Sequence, residues 1–256
     1  MQMKSNLIQY ILLVGMYGVF SLAHAGQPDA ESLVRDSFDY YRGKASVATI
    51  EMLIKRPEWE RTQVMKAWTR GEDESLMTVL EPSKDKGNGS LKVGRTMWTY
   101  NPKVKRTIKL PPSMMAQSWM GSDFSNNDLA KADTIINDYT HQLIGEEVVD
   151  GVVVYIVESI PKPDAPVIWG KEILKIREDL IYLEEAFYDE DGNLVKTLSF
   201  SEIEDIDGKL YPTRMVMQKE SRPDAYTQID YREIHFLNKL PDRIFKKTSL
   251  KNPPRD

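Results

Sequence analysis

Between residues 171 and 236 the chain passes through five runs of period-two alternation, at 171–177, 181–188, 194–203, 210–219 and 226–236. No stretch between them is long enough for a crossover helix. Asp191-Gly192 and Asp207-Gly208 are turn dipeptides that supply the positive φ a tight hairpin needs. Strands that follow one another this closely pair as antiparallel neighbours, so a meander is expected rather than a parallel sheet. In the last run Ile229 and Tyr231 share one face while Ile234 and Phe236 share the other, which predicts a bulge.

The same pattern extends back toward the N-terminus. Ala48, Ile50, Met52 and Ile54 line one face of a strand, and further alternating runs occupy 59–70, 74–80, 91–100, 104–110 and 139–147. Frequent Arg, Lys and Glu at alternate positions give these strands one wet face. Residues 152–157 are apolar without a break, which predicts a strand covered on both faces at the middle of the core. About eleven strands result. Ahead of them, residues 29–41 carry Leu33, Val34, Phe38 and Tyr41 at helical spacing, with acidic residues in the first turn and Gly43 as a stop.

One segment does not fit the sheet pattern. Pro111-Pro112 ends the hairpin that turns at Asn101-Pro102, because proline offers no amide hydrogen to a ladder. Met114, Met115, Trp119, Met120 and Phe124 then appear among Ser, Gly, Gln and Asn, and 127–136 reads as a short helix. The segment is too apolar for an ordinary loop and too broken by Gly121 for a long helix. It is either the permanent plug of a dry core or a lid over a space. Trp98 and Tyr100 share a face, as do Met215 and Met217 with Tyr211, and these are the candidates for the facing wall. For each of them, ligand contact and ordinary packing remain equally open.

Composition sets the compartment. Lys4, an apolar run over 7–22 and the Ala23-His24-Ala25 site form a secretory signal cleaved near Ala25, so residues 26–256 are expected to act as one domain in the periplasm. The chain has no cysteine, hence no disulfides and no lipid-attachment site. Loss of Lys4 takes the net charge from -5 to -6, which disfavours nucleic acid as a partner. Catalytic features are lacking. His141 and His235 are isolated, and Gly87-Asn88-Gly89 lacks the Lys-Ser/Thr of a phosphate loop. Asp189 to Asn193 lacks the glutamate that closes a calcium loop, so it reads as a hairpin turn. No enzyme, metal or cofactor is expected.

The Trp98-Thr99-Tyr100-Asn101-Pro102 turn, the MMAQSWMGSDFSNNDL segment at 114–129 and the terminal Leu240-Pro241-Asp242-Arg243-Ile244-Phe245 carry a resemblance. With the signal, the N-terminal helix and the meander, the chain resembles the outer-membrane lipoprotein-sorting proteins of the LolA-like superfamily. The resemblance implies a mainly β (α+β) fold, an unclosed antiparallel β-barrel with a helical lid. It implies a monomeric periplasmic carrier that holds the acyl chains of a lipid or lipoprotein and moves them toward the outer membrane. The partners it implies are an inner-membrane transporter and an outer-membrane acceptor. A non-transporting sensor or interaction module on the same scaffold is the alternative. On the carrier reading, Trp98, Tyr100, Met114, Met115, Trp119, Met120, Phe124, Met215 and Met217 are the residues expected against the ligand. Exposing one long acyl chain to water costs on the order of 10 kcal/mol, at roughly 0.8 kcal/mol per methylene, so a carrier has to enclose it. Methionine suits a lid that opens, because it repacks with little strain.

Overall fold

The structure, a computed structural model, describes residues 27–130 and 133–254, and the expected signal at 1–25 lies outside them. Helix α1 (Ala30–Arg42) forms as its spacing predicts. Asp29 caps it by accepting from the Ser32 amide at 2.9 Å, and Gly43, at φ 61, ends it. Its buried face carries Leu33, Val34 and Phe38.

The chain then runs through β1 (Ala45–Lys55), β2 (Glu60–Arg70), β3 (Glu74–Glu81), β4 (Gly89–Val93), β5 (Thr96–Asn101) and β6 (Arg106–Lys109). A crossing segment holds α2 (Asn126–Ala130) and α3 (Thr134–Asn137). After it come β7 (Tyr139–Val149), β8 (Val152–Pro161), β9 (Lys171–Arg177), β10 (Tyr182–Tyr188), β11 (Leu194–Ile206), β12 (Lys209–Lys219) and β13 (Tyr226–Leu237). Short α4 (Lys247–Lys251) completes the described chain.

These thirteen strands form one antiparallel sheet in the order β6-β5-β4-β3-β2-β1-β13-β12-β11-β10-β9-β8-β7. The two edges, β6 and β7, do not pair, so the barrel is unclosed. The count exceeds the expected eleven partly because 91–100 is two strands. Gly94, at φ 57, turns the chain back and pairs Val93 with Thr96. The expected bulge in β13 is present: Thr49 pairs with Glu233 and Ile50 with Tyr231, so Arg232 is the extra residue and Ile229, Tyr231, Ile234 and Phe236 all reach the same core.

The expectation for 152–157 is corrected. β8 is the strand next to the β7 edge, not the centre, and only Val154 and Val157 of that run are buried. The centre is the β1–β13 pair, because the first and last strands of the two half-meanders meet there. An unbroken apolar run shows that both faces are tolerant of apolar residues, not that the strand is central.

Strand order makes the crossing segment unavoidable. β6 and β7 are consecutive in sequence and lie at opposite edges of the sheet, so residues 110–138 must traverse one whole face. That inner face carries the main core, with Ile50, Met52, Met65, Leu174, Phe200 and Ile229, and α1 packs over it. The outer face of β1 to β5 has a separate cluster. Ala45, Trp68, Leu76 and Leu91 lie there beneath Leu240, Ile244, Phe245 and Leu250 of the C-terminal segment. Arg70 fastens that strap, donating to the Leu240 carbonyl at 2.9 Å and to Asp242 at 2.6 Å, with its guanidinium 4.8 Å over the Phe245 ring.

Candidate functional site

The crossing segment is pinned to the sheet in two ways. The first is apolar insertion: Trp119 and Phe124 are buried in the main core, and Met114, Met115 and Met120 pack half-buried against it. Trp119 and Phe124 come together because the Trp119 amide donates to the Phe124 carbonyl at 2.8 Å around a tight turn. The turn needs Met120 at φ 50 and Gly121 at φ 77, and a Cβ on Gly121 would lie 3.1 Å from the Arg61 guanidinium. Arg61 uses that guanidinium to donate to the Met120 carbonyl. The Trp119 indole donates to Ser90 Oγ at 2.9 Å, which satisfies its one polar atom.

The second is a series of ion pairs at five-residue spacing. Asp123 accepts from Arg56 at 2.9 Å, Arg222 at 3.0 Å and the Thr227 hydroxyl at 2.8 Å. Asp128 meets Lys196 at 2.6 Å, Asp133 meets Lys92 at 2.5 Å, and Asp138 meets Arg95 at 2.7 Å. The carboxylates of Asp123 and Asp133 are buried and that of Asp128 nearly so. Isolated buried charges are costly, so each is tolerable only while its partner is in place. Burial pulls the Lys92 pKa down from its usual value, against the opposing effect of Asp133.

Between this cover, α1 and the sheet lies a cavity of about 270 Å³. Most of its wall is apolar: Phe38 from α1, Ile50 from β1, Met77 from β3, Leu198 and Phe200 from β11, Ile229 from β13, and Trp119 and Phe124 from the cover. Tyr41, Met215 and Tyr231 join at one side, where the Tyr41 hydroxyl lies 3.1 Å from that of Tyr231 and 3.0 Å from Met215 Sδ. At roughly 30 Å³ per water-sized group, this volume accepts about nine methylene-sized groups.

Another part of the wall is acidic. Tyr139 of β7, Glu172 of β9 and Glu185 of β10 all line the cavity. Burial is the main cause that raises the pKa of both carboxyls above the ordinary range. For Glu172 the neighbouring Glu185 charge adds to that rise, while Lys196 opposes it for both. The two carboxyls lie close enough that the charge on one resists ionisation of the other. Lys196 stacks 4.9 Å from the Trp169 ring and 4.7 Å from that of Phe187 while holding Asp128.

The structure divides the candidates named from sequence into three groups. Trp119, Phe124, Met215 and Met217 line the cavity. Met114, Met115 and Met120 belong to the cover but touch the core rather than the cavity wall. Trp98 and Tyr100 are corrected: they share a face, but it is the outer one, under the C-terminal strap, where Lys247 sits 5.6 Å over the Trp98 ring. Met97 is the β5 residue that points into the main core. Alternation gives two faces without saying which is inner, and the larger aromatic residues went to the strap.

The acidic wall went unread from sequence, although a signal for it exists. Glu172 is in phase with Leu174 and Ile176, which are both fully buried. Glu185 is in phase with Phe187, and the bulge between Tyr182 and Glu184 lets Tyr182 point inward as well. A glutamate in phase with core residues is the feature to look for.

The chain is thus an unclosed antiparallel half-barrel whose inner face is crossed by one cover segment. Residues 71–252 match a family model described as "-like: Uncharacterized protein", and the chain belongs to that family. No curated protein matches the chain. Among solved structures, a DUF1329 family protein from Desulfovibrio piger superposes with a TM-score of 0.78 at 28% identity, over 86% of this chain and 97% of that one. An outer membrane lipoprotein-sorting protein domain from Vibrio parahaemolyticus gives 0.74 at 22% identity, over 87% and 98%. A LolA superfamily protein from Nitrosomonas europaea gives 0.72 at 24% identity, over 86% and 99%. The last two likenesses establish the fold alone.

Proposed function

We propose that this chain is a periplasmic carrier that encloses an acyl chain in the cavity between sheet and cover and releases it toward the outer membrane. The observation that carries this reading is the cavity of about 270 Å³ itself, bounded on one side by a cover fastened with ion pairs rather than by continuous sheet. Enclosing about nine methylenes is worth about 7 kcal/mol, at roughly 0.8 kcal/mol each. A longer chain needs the cover to shift. The half-buried methionines along it are side chains that can repack as it does so.

The test fills the space. Ala48 and Ala67 line the cavity from adjacent strands. Replacing both by leucine is expected to abolish retention of acyl chains, measured by solvent extraction and mass spectrometry of gently purified protein, while the melting temperature stays level or rises, as it does when a cavity is filled. Wild-type protein that brings no lipid through the same purification, or a filled variant that still brings it, contradicts the reading. Trp119 is less useful as a probe. Its buried, hydrogen-bonded indole makes Trp119→Ala cost about 3–5 kcal/mol whatever the cover does.

A further inference from the structure

The acidic part of the wall holds more buried carboxyls than an acyl carrier needs, and the sheet register shows how it is built. Lys196, Phe187, Glu172, Ser159 and His141 form one cross-strand row over β11, β10, β9, β8 and β7. In the next row Glu185 stands among Leu198, Leu174, Val157 and Leu143. Leucine at either glutamate position would continue the apolar wall and avoid the desolvation cost of a carboxyl.

The local partners do not balance these two groups. Lys196 is the cation whose charge reaches both, and it is already held 2.6 Å from Asp128. Among the described residues, Lys196 is thus shared between Asp128 and the two glutamates, and neither glutamate has an ion pair of its own. Glu172 is only 4% exposed. Beside it the Tyr139 hydroxyl is fully buried and close to the Glu172 carboxyl, but forms no hydrogen bond of good geometry among the described residues. A phenol and a carboxyl that meet at a cavity wall without a well-formed bond leave room for another polar group between them. Among the described residues no three His, Cys, Asp or Glu are grouped to hold a metal ion, so a metal is not the group that fits.

We propose that Glu172, Glu185 and Tyr139 dock the positively charged amine head of an amphiphile whose hydrocarbon tail fills the apolar part of the same cavity. The proposal rests on the carrier reading and narrows its cargo. An ammonium offers three N–H donors and no acceptor, which matches two acidic acceptors and a phenol oxygen. It lets both carboxyls ionise without mutual repulsion. A carboxylate or phosphate head meets like charge there and is rejected.

Three ten-carbon probes that differ only in their head test this: decylamine, decanol and decanoate. Each competes with a fluorescent alkyl probe for the full-length mature protein at a pH of about 8, where the carboxyls ionise most readily. Decylamine is expected to bind about tenfold or more tighter than decanol, the gain of charge-assisted over neutral hydrogen bonds, with decanoate the weakest. In the Glu172→Gln/Glu185→Gln variant the advantage of decylamine over decanol should disappear. Glu185→Gln alone should give a partial loss and serves if the double variant does not fold. Equal binding of decanol and decylamine by wild type overturns the head-group assignment and leaves the carrier reading standing. So does an amine preference that survives both substitutions. If none of the three probes binds, both fail.

Discussion

Glu185 faces the cavity among leucines, and its carboxyl is pushed up to about 7 chiefly by burial. The groups that face this pair from neighbouring strands are Tyr139, Tyr182, Lys196 and, from the cover, Asp128. A carboxyl with a raised folded pKa binds more protons in the native than in the unfolded state. Its contribution to stability is therefore complete below the ordinary carboxylate range and is lost as pH rises through about 7. Glu185→Gln removes that dependence. The variant should melt at nearly the wild-type temperature in mild acid and at a higher one near pH 8. Parallel melting curves for the two proteins across this range would contradict it. At this scale the sequence was only partly legible: Met215 and Met217 could be placed together on one face, but the inner face of β10 depends on a bulge that alternation does not announce.

The crossing segment is the element whose type was legible and whose attachment was not. Methionine and tryptophan content marks 114–124 as something that covers apolar surface, and Pro111-Pro112 marks where the sheet stops. The ion pairs of Asp123, Asp128, Asp133 and Asp138 involve residues from 41 to 99 positions away, so no local pattern reveals them. They also differ in weight. Asp123 is almost fully buried and holds Arg56, which is itself nearly buried, whereas Arg222 is 45% exposed. Asp123→Ala leaves a buried guanidinium without its partner and should cost about 3–5 kcal/mol. Arg222→Ala should cost under about 1 kcal/mol, as exposed pairs do. Urea unfolding of the two variants compares them directly, and similar midpoints would show that Asp123 is not the anchor of the cover.

For the whole molecule, a ligand enclosed by the native state and absent from the unfolded chain raises the melting temperature by mass action. A hydrophobe present at about a hundred times its dissociation constant adds about 2.7 kcal/mol, which for a chain of this size corresponds to a rise of about 5–10 °C. The Ala48→Leu/Ala67→Leu protein should show no such rise with the same hydrophobe. A thermal shift of equal size in both proteins would place the ligand outside the cavity. The sequence by itself determined the antiparallel meander, the capped N-terminal helix, the bulge in β13 and an apolar cover, because each is written in periods of two or 3.6 residues, in proline and in turn dipeptides acting over a few positions. Tertiary structure decided which face of each strand points inward, and it left the two edges apart so that the cover has to cross. It also brought Glu172, Glu185 and Tyr139 from three strands into one wall. These depend on strand order and register, which arise from the packing of distant segments and leave no trace in local alternation.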